Sequence, residues 1–296
     1  MSTPDQLSAV APSAQNGPDN AKRLSRASWT ALAILLAVFF IFPLVWLVIA
    51  TFKRHEDLFA FILLPGDPSR LTLANYVDLF QQQPIAQWLV NSMFISGIGA
   101  AVQVTLSSLC GYALARYSFH GKSFITVLML CVMALPFQVM LPASYELMRN
   151  IGWVNTYYAV MIPGAVSVFG TLMFRQAFAG LPNNVLEAAR IDGCGEWHTW
   201  WSIGLPMVQP TTAALLMMSF LGSWNSLLWP SVMLQEEIKF PVTVSLANMN
   251  GLREYQSNIP LLLTATLIAV IPPAAVFLLC QKEFISGLTA GVSSDE

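Results

Sequence analysis

Charged residues are scarce in this sequence. Of its 296 residues, 10% are Asp, Glu, Lys or Arg and 55% are hydrophobic, and the mean hydropathy is +0.59. A soluble domain carries about 25% charged residues. The deficit therefore excludes an ordinary soluble domain and indicates a protein that crosses a membrane several times. The net charge is −2 and no basic stripe is present, so no nucleic-acid partner is expected.

Residues that commonly bind metals or perform covalent catalysis are also few. The cysteines and histidines are scattered, without CxxC or other metal-type spacing: Cys110, Cys131, Cys194, Cys280, His55, His120 and His198. No Asp, Glu, Lys, Arg or His falls well inside the apolar segments. Ionisable groups in a membrane usually mark proton or ion relays, and a serine nucleophile needs a base beside it. We therefore expect no metal, no cofactor and no catalytic residue, and neither a proton-coupled transporter nor an intramembrane hydrolase.

The chain also lacks a nucleotide-binding loop of its own. The stretch FHGKS, residues 119–123, resembles the second half of a phosphate-binding P-loop. The full motif requires a glycine five residues before Gly121, and Arg116 stands at that position. The stretch also follows an apolar segment rather than a β-strand. If ATP drives the process in which this protein takes part, another subunit must bind it.

Six apolar segments are long enough to cross a bilayer, which takes about 20 helical residues. They are residues 29–52, 88–115, 124–145, 156–178, 211–235 and 260–281. Residues 1–28 are predicted to form a disordered N-terminal tail, residues 29–286 the membrane domain, and residues 287–296 a C-terminal tail. Six spans put both termini on one side of the membrane, and the distribution of Lys and Arg weakly favours the cytoplasm for that side.

Mildly polar residues remain inside the predicted spans. In the second span, six small or polar residues recur at spacings of three or four and so share one helix face: Ser92, Ser96, Gly99, Gln103, Ser107 and Gly111. Such a face is typical of close helix–helix packing, and it also suits the wall of a polar translocation path. The candidate residues for such a path are Ser96, Gln103, Ser107, Gln138 and Asn225.

A polar stretch at residues 183–210, NNVLEAARIDGCGEWHTWWSIGLPMVQP, separates the fourth and fifth predicted spans. Its first part predicts a helix of about nine residues, with Asn183 or Asn184 capping its start and Gly193 ending it. A helix this short is unstable alone in water and needs a surface to pack on. A second short helix follows, with three tryptophans that suit the membrane interface: Trp197, Trp200 and Trp201. These properties alone are compatible with an amphipathic segment that lies on the membrane and only connects two spans.

A spaced motif changes this interpretation. The order Glu-Ala-Ala, three residues, Gly, nine residues, Ile-x-Leu-Pro is formed by Glu187, Ala188, Ala189, Gly193, Ile203, Leu205 and Pro206. It resembles the EAA loop of permease subunits in bacterial binding-protein-dependent ABC importers. Further stretches resemble the carbohydrate-uptake branch, in the manner of the maltose and glycerol-3-phosphate permeases: PLVWLVIATFK, LANYVDLF, WLVNSMFIS, GYALARYSFHGK, SWNSLLWP and GLTAG. The resemblance implies an all-α membrane protein with six transmembrane helices and the type I importer (MetI-like) permease fold.

The resemblance also implies a role for each motif residue. The EAA loop would form a cytoplasmic coupling helix that docks on a separate ATPase, with Glu187 making the polar contact and Asp192 available for another. Ala188, Ala189 and Gly193 would permit close seating. The remaining members would brace the loop against the spans: Ile203, Leu205 and Pro206. A C-terminal stretch would also contact the ATPase: Gly287, Leu288, Thr289, Ala290 and Gly291.

By the same resemblance, the protein would be a transport subunit rather than an enzyme, embedded in the lipid of the cytoplasmic (inner) membrane with both termini in the cytoplasm. Its partners would be a second, non-identical permease, two copies of an ABC ATPase and an extracytoplasmic solute-binding protein. The cargo would be a sugar or sugar-derived solute, because the spans are uncharged and the flanking motifs are of the carbohydrate type. Two alternatives remain: a permease for polyamine, iron or phosphate, and a membrane scaffold or channel without an ATPase.

Two features depart from the family pattern. Cys194 and Gly195 follow Gly193 where the family more often has Ala and then Ser or Thr. The chain also ends in the acidic sequence GVSSDE instead of a basic Lys-Gly ending, so contact of the tail with the ATPase is expected only as far as Gly291.

Overall fold

The computed structural model describes residues 17–61, 63–64, 67–251 and 258–289, which are helical almost throughout. The helices are α1 (Gly17–Thr51), α2 (Ala74–Gln82), α3 (Ile85–Arg116), α4 (Lys122–Met133), α5 (Phe137–Asn150), α6 (Tyr157–Met161), α7 (Val168–Ala179), α8 (Asn183–Ile191), α9 (Glu196–His198), α10 (Leu205–Met207), α11 (Gln209–Trp224), α12 (Leu228–Met233), α13 (Val242–Gly251) and α14 (Ile259–Thr289). A π-helix, Thr199–Gly204, joins α9 to α10. Short 3-10 turns lie at His55–Asp57, Pro68–Arg70 and Glu237–Lys239. The all-α class predicted from the sequence is confirmed.

Three helices are long and apolar enough to cross a membrane by themselves. They comprise Ser28–Thr51 of α1, Ile85–Arg116, which is α3, and Ile259–Lys282 of α14. These helices cover the predicted spans 88–115 and 260–281, and the predicted span 29–52 except for its last residue. Two bent helix pairs also qualify by length and composition, so the described residues contain up to five candidate spans. The number of six spans stays a prediction.

The predicted span 124–145 is not one straight helix. It is divided between α4 and α5, whose axes differ by 101°. Pro136 is the N-cap residue of α5 and lacks an N–H group, and its ring disfavours helical backbone at Leu135. A second bend, of 84°, separates the helical run Glu196–Met207 from α11. Pro210, in the first turn of α11, suits this new helix start.

Two further predicted spans are also interrupted. Residues 156–178 consist of α6 and α7, separated by a non-helical stretch that contains Pro163 and Gly164. Residues 211–235 are divided between α11 and α12 by the break Asn225–Leu227. Hydropathy locates these segments but not the breaks inside them, because the breaks depend on local backbone chemistry.

α7 and α11 pack along α3, which is central among the described helices. Gly111 permits the close approach of α7, since a Cβ atom there would lie 2.5 Å from Phe174 Cβ and 2.9 Å from the backbone N of Arg175. At this end of α3, buried side chains form a cluster of Val104, Tyr112, Phe174, Phe178, Trp200, Val208 and Leu215. At the other end, a second cluster includes Leu79, Ile85, Trp88, Trp224, Val242 and Leu261.

Helices at the periphery expose more apolar surface than a water-soluble protein tolerates. Along α4 and along residues 29–45 of α1, many large hydrophobic side chains are exposed, among them Trp29, Phe39, Phe40, Phe124 and Val127. Contact with lipid chains or with other apolar helices would remove these surfaces from water. Their exposure therefore agrees with the membrane location that the composition predicts.

Two polar regions of the molecule lie at opposite ends of α3. Its 32 residues span about 48 Å, at about 1.5 Å per residue. Arg116, its last residue, contacts the turn between α7 and α8. Asn91 and Ser92, near its start, contact residues 238–242 instead. α3 therefore connects the polar stretch predicted from the sequence with the opposite end of the fold.

Candidate functional site

The polar stretch begins with α8, which spans the nine residues Asn183–Ile191. It ends in a Schellman arrangement. Gly193 has a φ of 82°, its N–H donates to Arg190 O at 3.1 Å, and the N–H of Cys194 donates to Ala189 O at 2.9 Å. Glycine takes this left-handed backbone conformation at little cost, unlike other residues. The predicted helix length and the predicted stop at Gly193 are therefore confirmed.

The start of α8 differs from the predicted cap. Pro182 is the N-cap residue and no side chain caps the first turn, so the prediction that Asn183 or Asn184 does so is wrong. The reason is a competing contact: Asn183 Oδ1 accepts a hydrogen bond of 2.6 Å from Arg116 Nη1. Arg116 Nη2 donates to the carbonyl of Phe178 in the last turn of α7 and to that of Leu181 in the turn before α8. One guanidinium group at the end of α3 therefore holds the turn and the first residue of α8.

Tyr117 and Glu196 form a second link between the end of α3 and this stretch. Tyr117 Oη donates to Glu196 Oε2 at 2.6 Å, and Arg190 of α8 donates to both oxygens of the same carboxylate, at 2.9 and 3.3 Å. The hydrogen bond from Tyr117, and next that from Arg190, lowers the pKa of Glu196. Burial, and next the hydrogen bond to Glu196, raises the pKa of Tyr117 to about 12. An ionised Glu196 and a protonated Tyr117 are the forms that these hydrogen bonds require.

The three tryptophans after Glu196 take different positions. Trp197 and Trp201 are 68% and 60% exposed, in agreement with the predicted interfacial location. Trp200 is buried with Tyr112 of α3 and Phe178 of α7. The prediction of an interfacial position is therefore wrong for Trp200, because the π-helix places this indole in the core between α3 and α7.

The outward side of α8 combines carboxylates with an apolar side chain. Glu187, Ala188 and Asp192 are exposed, and Ile191 is 86% exposed, whereas Leu186 and Ala189 are buried beneath them. We call the four exposed residues the α8 surface: Glu187, Ala188, Ile191 and Asp192. A small patch of this kind suits contact with another protein, because the buried side and the hydrogen bonds of α8 hold the helix in place.

The eight residues predicted to couple to an ATPase divide into two groups. The exposed group is Glu187, Ala188, Asp192, Gly193 and Pro206. The inward group is Ala189, which is buried, and Ile203 and Leu205, which are half-buried. Leu205 packs on the core cluster that contains Phe178 and Trp200. Two positions differ from the predicted roles: Ala189, expected to permit close seating, is buried, and Pro206, expected to brace the loop, is exposed. The coupling role itself stays a prediction.

Sequence reasoning did not single out the residues that hold α8 in place. Arg116, Tyr117 and Glu196 make the connecting hydrogen bonds, and Ile191 is the most exposed large hydrophobic residue of α8. The one available signal was a run of polar residues directly after a long apolar helix. That signal marks the end of a span but does not say which distant residues the side chains reach.

A cavity of about 360 Å³, partly open to the surface, lies between α3, α6, α7, α11 and α12. Its polar lining consists of one amide and four hydroxyl-bearing residues: Gln103, Ser167, Ser219, Ser223 and Ser226. Apolar lining comes from residues such as Met161, Phe169 and Trp229. Of the described residues that line it, none carries an ionisable side chain. The cavity therefore suits an uncharged polar solute better than an ion.

Of the residues predicted to line a translocation path, Gln103 lines this cavity. Its Nε2 donates to Gly164 O at 2.8 Å, in the break between α6 and α7. Ser96 and Ser107 are buried along the same helix, and Ser107 Oγ accepts a hydrogen bond of 3.1 Å from the N–H of Ser167. The polar face of α3 therefore packs against the interrupted span and also contributes to the cavity.

The two other candidates for the path lie elsewhere. Gln138 and Asn225 are exposed and do not line the cavity. Asn225 Nδ2 donates to Leu221 O, within the last turn of α11, at 2.9 Å. The serines of the cavity at positions 219, 223 and 226 were missed, although their spacings of four and three are those of one helix face. Ser226 lies in the break after α11. The role of all five predicted path residues stays a prediction.

The predicted C-terminal contact lies only partly in the described structure. Gly287, Leu288 and Thr289 belong to the last turns of α14, whereas Ala290 and Gly291 lie outside the described residues. No group of three or more His, Cys, Asp or Glu with metal-binding geometry occurs within the part of the chain that the structure describes.

The sequence matches one family of transport proteins and individual permeases for sugars. Residues 103–285 match the family described as binding-protein-dependent transport system inner membrane component. The chain is 36% identical over 258 residues to the arabinooligosaccharides transport system permease protein of Halalkalibacterium halodurans, covering 86% of this chain and 92% of that protein. It is 28% identical over 258 residues to the lactose transport system permease protein of Rhizobium radiobacter, covering 87% of this chain and 93% of that protein.

Among solved structures, the chain is similar to one chain of a bacterial ABC transporter involved in the import of the acidic polysaccharide alginate. The TM-score is 0.78 at 19% sequence identity, and the match covers 89% of this chain and 98% of the other. Because so low an identity carries no argument about the solute, this likeness establishes the fold alone.

Proposed function

The chain belongs to the family of binding-protein-dependent transport system inner membrane components, and from this premise we propose that it is one permease subunit of an ATP-driven importer for a neutral sugar or sugar-derived solute. The α8 surface is the observation that carries the coupling part of this proposal. It is an exposed patch that includes Glu187, on a helix that the end of α3 holds by hydrogen bonds. The chain has no P-loop, so the energy must enter through contact with another subunit.

Force applied to the α8 surface has a direct route to the cavity. α8 follows α7 through the turn that Arg116 holds, so α3 and α7 are both tied to it. Farther along the same two helices, Ser107 and Ser167 are hydrogen-bonded to each other, and Gln103 and Ser167 line the cavity. Movement of α8 when the ATPase closes would therefore displace the cavity walls as packed units. Glu187 makes the polar contact with the ATPase in this proposal, and Ala188 and Gly193 allow close seating.

The solute class follows from the chemistry of the cavity and from the relatives. Hydroxyl and amide groups can exchange hydrogen bonds with sugar hydroxyls, and Phe169 and Trp229 offer apolar contact. The arabinooligosaccharides and lactose permeases are similar over most of the chain. Together these observations favour a neutral oligosaccharide over a polyamine, iron or phosphate.

We extend the proposal to the assembly. The chain would pair with a second, non-identical permease, bind two copies of an ATPase through the α8 surfaces of the pair, and receive solute from an extracytoplasmic binding protein. α8 and both termini would lie in the cytoplasm, and the start of α3 would face outward. Residues 287–291 would add a contact with the ATPase.

Affinity purification and uptake together test the proposal. The tagged full chain, extracted from native membranes, is expected to bring with it an ATPase that has a complete P-loop and a second permease. Cells that lack the chain should lose uptake of labelled arabinotriose, lactose or diacetylchitobiose, and the wild-type chain should restore it. Recovery of no P-loop ATPase would contradict the importer. Loss of polyamine or phosphate uptake, with sugar uptake unchanged, would contradict the solute class.

A further inference from the structure

A second polar cavity lies at the start of α3, at the end of this helix remote from α8. It has a volume of about 400 Å³, within the range of about 300–1,000 Å³ typical of small-molecule sites. Its walls come from the end of α2, the start of α3, the 3-10 turn Glu237–Lys239 with the residue after it, and α13. It shares no lining residue with the 360 Å³ cavity.

Two buried polar groups in this cavity have no hydrogen-bond partner among the described residues. Trp88 is 1% exposed and Ser245 is 2% exposed, and neither Trp88 Nε1 nor Ser245 Oγ is hydrogen-bonded. Both residues line the cavity. A buried donor without a partner costs about 1–3 kcal/mol, and such groups are rare in native proteins. Less than 1 Å² of either atom is exposed, so a ligand in the cavity reaches the indole N–H and the hydroxyl once the side chains that cover them move aside.

The walls of the cavity are held together by side chains of α3. Asn91 Nδ2 donates to Ile238 O at 2.8 Å and to Phe240 O at 3.0 Å. One residue further on, Ser92 Oγ accepts from the N–H of Val242 at 2.8 Å. These bonds fix the segment that carries Glu237 and Phe240 against the start of α3. The backbone of this wall is therefore held in place, which reduces the entropic cost of binding.

The lining has the chemistry of a carbohydrate site. Besides the two buried donors, it presents the polar side chains of Gln82, Asn248 and Glu237, which can exchange several hydrogen bonds with neighbouring hydroxyl groups. Phe240, Pro84 and Met249 supply apolar contact for the C–H groups of a sugar ring. Glu237 is the one ionisable residue of the described lining, so an anionic ligand is disfavoured.

We propose that this cavity is a binding site for one neutral sugar unit, at the outer mouth of the importer and separate from the 360 Å³ cavity. Trp88 Nε1–H donates to a sugar oxygen, Ser245 Oγ bonds to a neighbouring hydroxyl, and Phe240 contacts the ring. The site holds the end of an oligosaccharide before it moves inward. Its outward position rests on the orientation given in the proposed function, whereas its affinity for sugar does not.

The resonance of Trp88 gives a direct test. The purified full chain, labelled with 5-fluorotryptophan and placed in lipid nanodiscs, is titrated with arabinotriose, lactose and diacetylchitobiose, and fluorine NMR spectra are recorded. Trp88→Phe identifies the resonance of Trp88 by its loss. We expect this resonance to shift saturably with at least one of the three sugars. Ser245→Ala should weaken that binding by roughly threefold to tenfold, as expected for one lost hydrogen bond.

A control substitution of another buried serine distinguishes loss of the binding site from a general effect on the fold. Ser108 of α3 is also fully buried, but its Oγ donates to Thr105 O and it lies far from the cavity. Ser108→Ala should leave the sugar affinity unchanged. Should Trp88→Phe not fold, the same resonance is identified by its displacement in Ser245→Ala.

The possible outcomes separate this inference from the proposed function. A Trp88 resonance that none of the three sugars moves, or that moves with the same affinity in Ser245→Ala, overturns the site. If the wild-type complex still imports sugar with ATP in that case, the proposed function stands without it. A saturable, Ser245-dependent shift supports the site, even if the wild-type complex imports none of these sugars and the proposed function fails.

Discussion

Arg116 Nη1 donates a hydrogen bond of 2.6 Å to Asn183 Oδ1, which joins the last residue of α3 to the first residue of α8. The same guanidinium group also donates to the carbonyls of Phe178 and Leu181. α8 is too short to be stable by itself. The contact therefore means that α3 stabilises α8. In the proposed function, it also means that α3 moves when the ATPase moves α8.

Replacing Arg116 tests this support. Arg116→Ala should loosen α8, because hydrogen bonds from a charged donor contribute on the order of 2 kcal/mol, equivalent to about thirtyfold in local protection. Hydrogen exchange at the amides of Asn183–Ile191 measures the effect. Arg175→Ala removes the same charge from α7, at a residue that lines a cavity with Thr126 and Leu130 of α4 and not with α8, and it should leave those amides protected. Equal protection of α8 in wild type and Arg116→Ala would show that the helix does not depend on this contact.

The link between Tyr117 and Glu196 predicts a specific pH dependence. The pKa of Glu196 is lowered in the fold, so the link contributes stability above the ordinary Glu pKa and loses it as the pH falls through the lowered value. The pKa of Tyr117 is raised to about 12, so its contribution is complete below the ordinary value of 10.0 and is lost as the pH rises through about 12. Both losses lie outside the neutral range.

Glu196→Gln should lower the pKa of Tyr117, because the neutral amide no longer disfavours the phenolate. The value should remain above 10.0, since burial is the larger cause of the shift. Ultraviolet absorbance at alkaline pH measures it, with Tyr117→Phe identifying the contribution of this residue among the seven tyrosines. Glu146→Gln, which removes a carboxylate beside Arg149, serves as the control. An unchanged titration of Tyr117 in Glu196→Gln would argue against the link.

Gly111 predicts a steric limit on the packing of α3 against α7. Gly111→Ala places a Cβ atom 2.5 Å from Phe174 Cβ and 2.9 Å from Thr171 O, so the two helices must separate. We expect destabilisation of about 1–3 kcal/mol, seen as a lower midpoint of thermal unfolding in detergent. Gly97→Ala, in the same helix with no atom within 4 Å of the added Cβ, should be neutral or slightly stabilising. Equal midpoints for the two variants would contradict the observed helix contact.

The 360 Å³ cavity predicts different effects on uptake for two residues of the candidate path, Gln103 and Asn225. Gln103→Leu removes a polar side chain from the cavity wall and the hydrogen bond to Gly164 O, and we expect uptake of the transported sugar to fall roughly tenfold. Asn225→Ala should leave uptake near the wild-type rate, because Asn225 donates to its own helix and does not line the cavity. Uptake rates at equal amounts of membrane-inserted protein measure both variants. A larger loss for Asn225→Ala would place the path elsewhere.

Local patterns carried most of what the sequence could reveal. The all-α class, the permease family and the nine-residue helix ended by Gly193 were predicted correctly, because hydropathy, motif spacing and a glycine stop are properties of neighbouring residues. The interruption of three predicted spans was missed, because hydropathy hardly changes at Pro136 or between α6 and α7.

Contacts between distant residues set the limit of sequence reasoning. Asn183 looked like a helix cap, but Arg116, 67 positions earlier, engages its side chain. Trp200 looked interfacial, but Tyr112 and Phe178 bury it. Similarly, no local feature connects Trp88 with Ser245, which only the packing of α13 beside α3 brings to one cavity. Each of these cases depends on tertiary packing, which spacing along one helix does not encode.

Sugar uptake by the reconstituted complex, coupled to ATP hydrolysis, tests the central claim most directly. The complex purified through this chain, placed in liposomes with its binding protein, should accumulate labelled sugar only with ATP. Glu187→Lys reverses the charge of the α8 surface and should abolish accumulation, with loss of the ATPase from the complex or hydrolysis that no longer drives uptake. Glu56→Lys, the same change at an exposed residue distant from α8 in the chain, should leave accumulation intact. Full accumulation and normal ATPase content in Glu187→Lys would contradict the proposal that energy enters through the α8 surface.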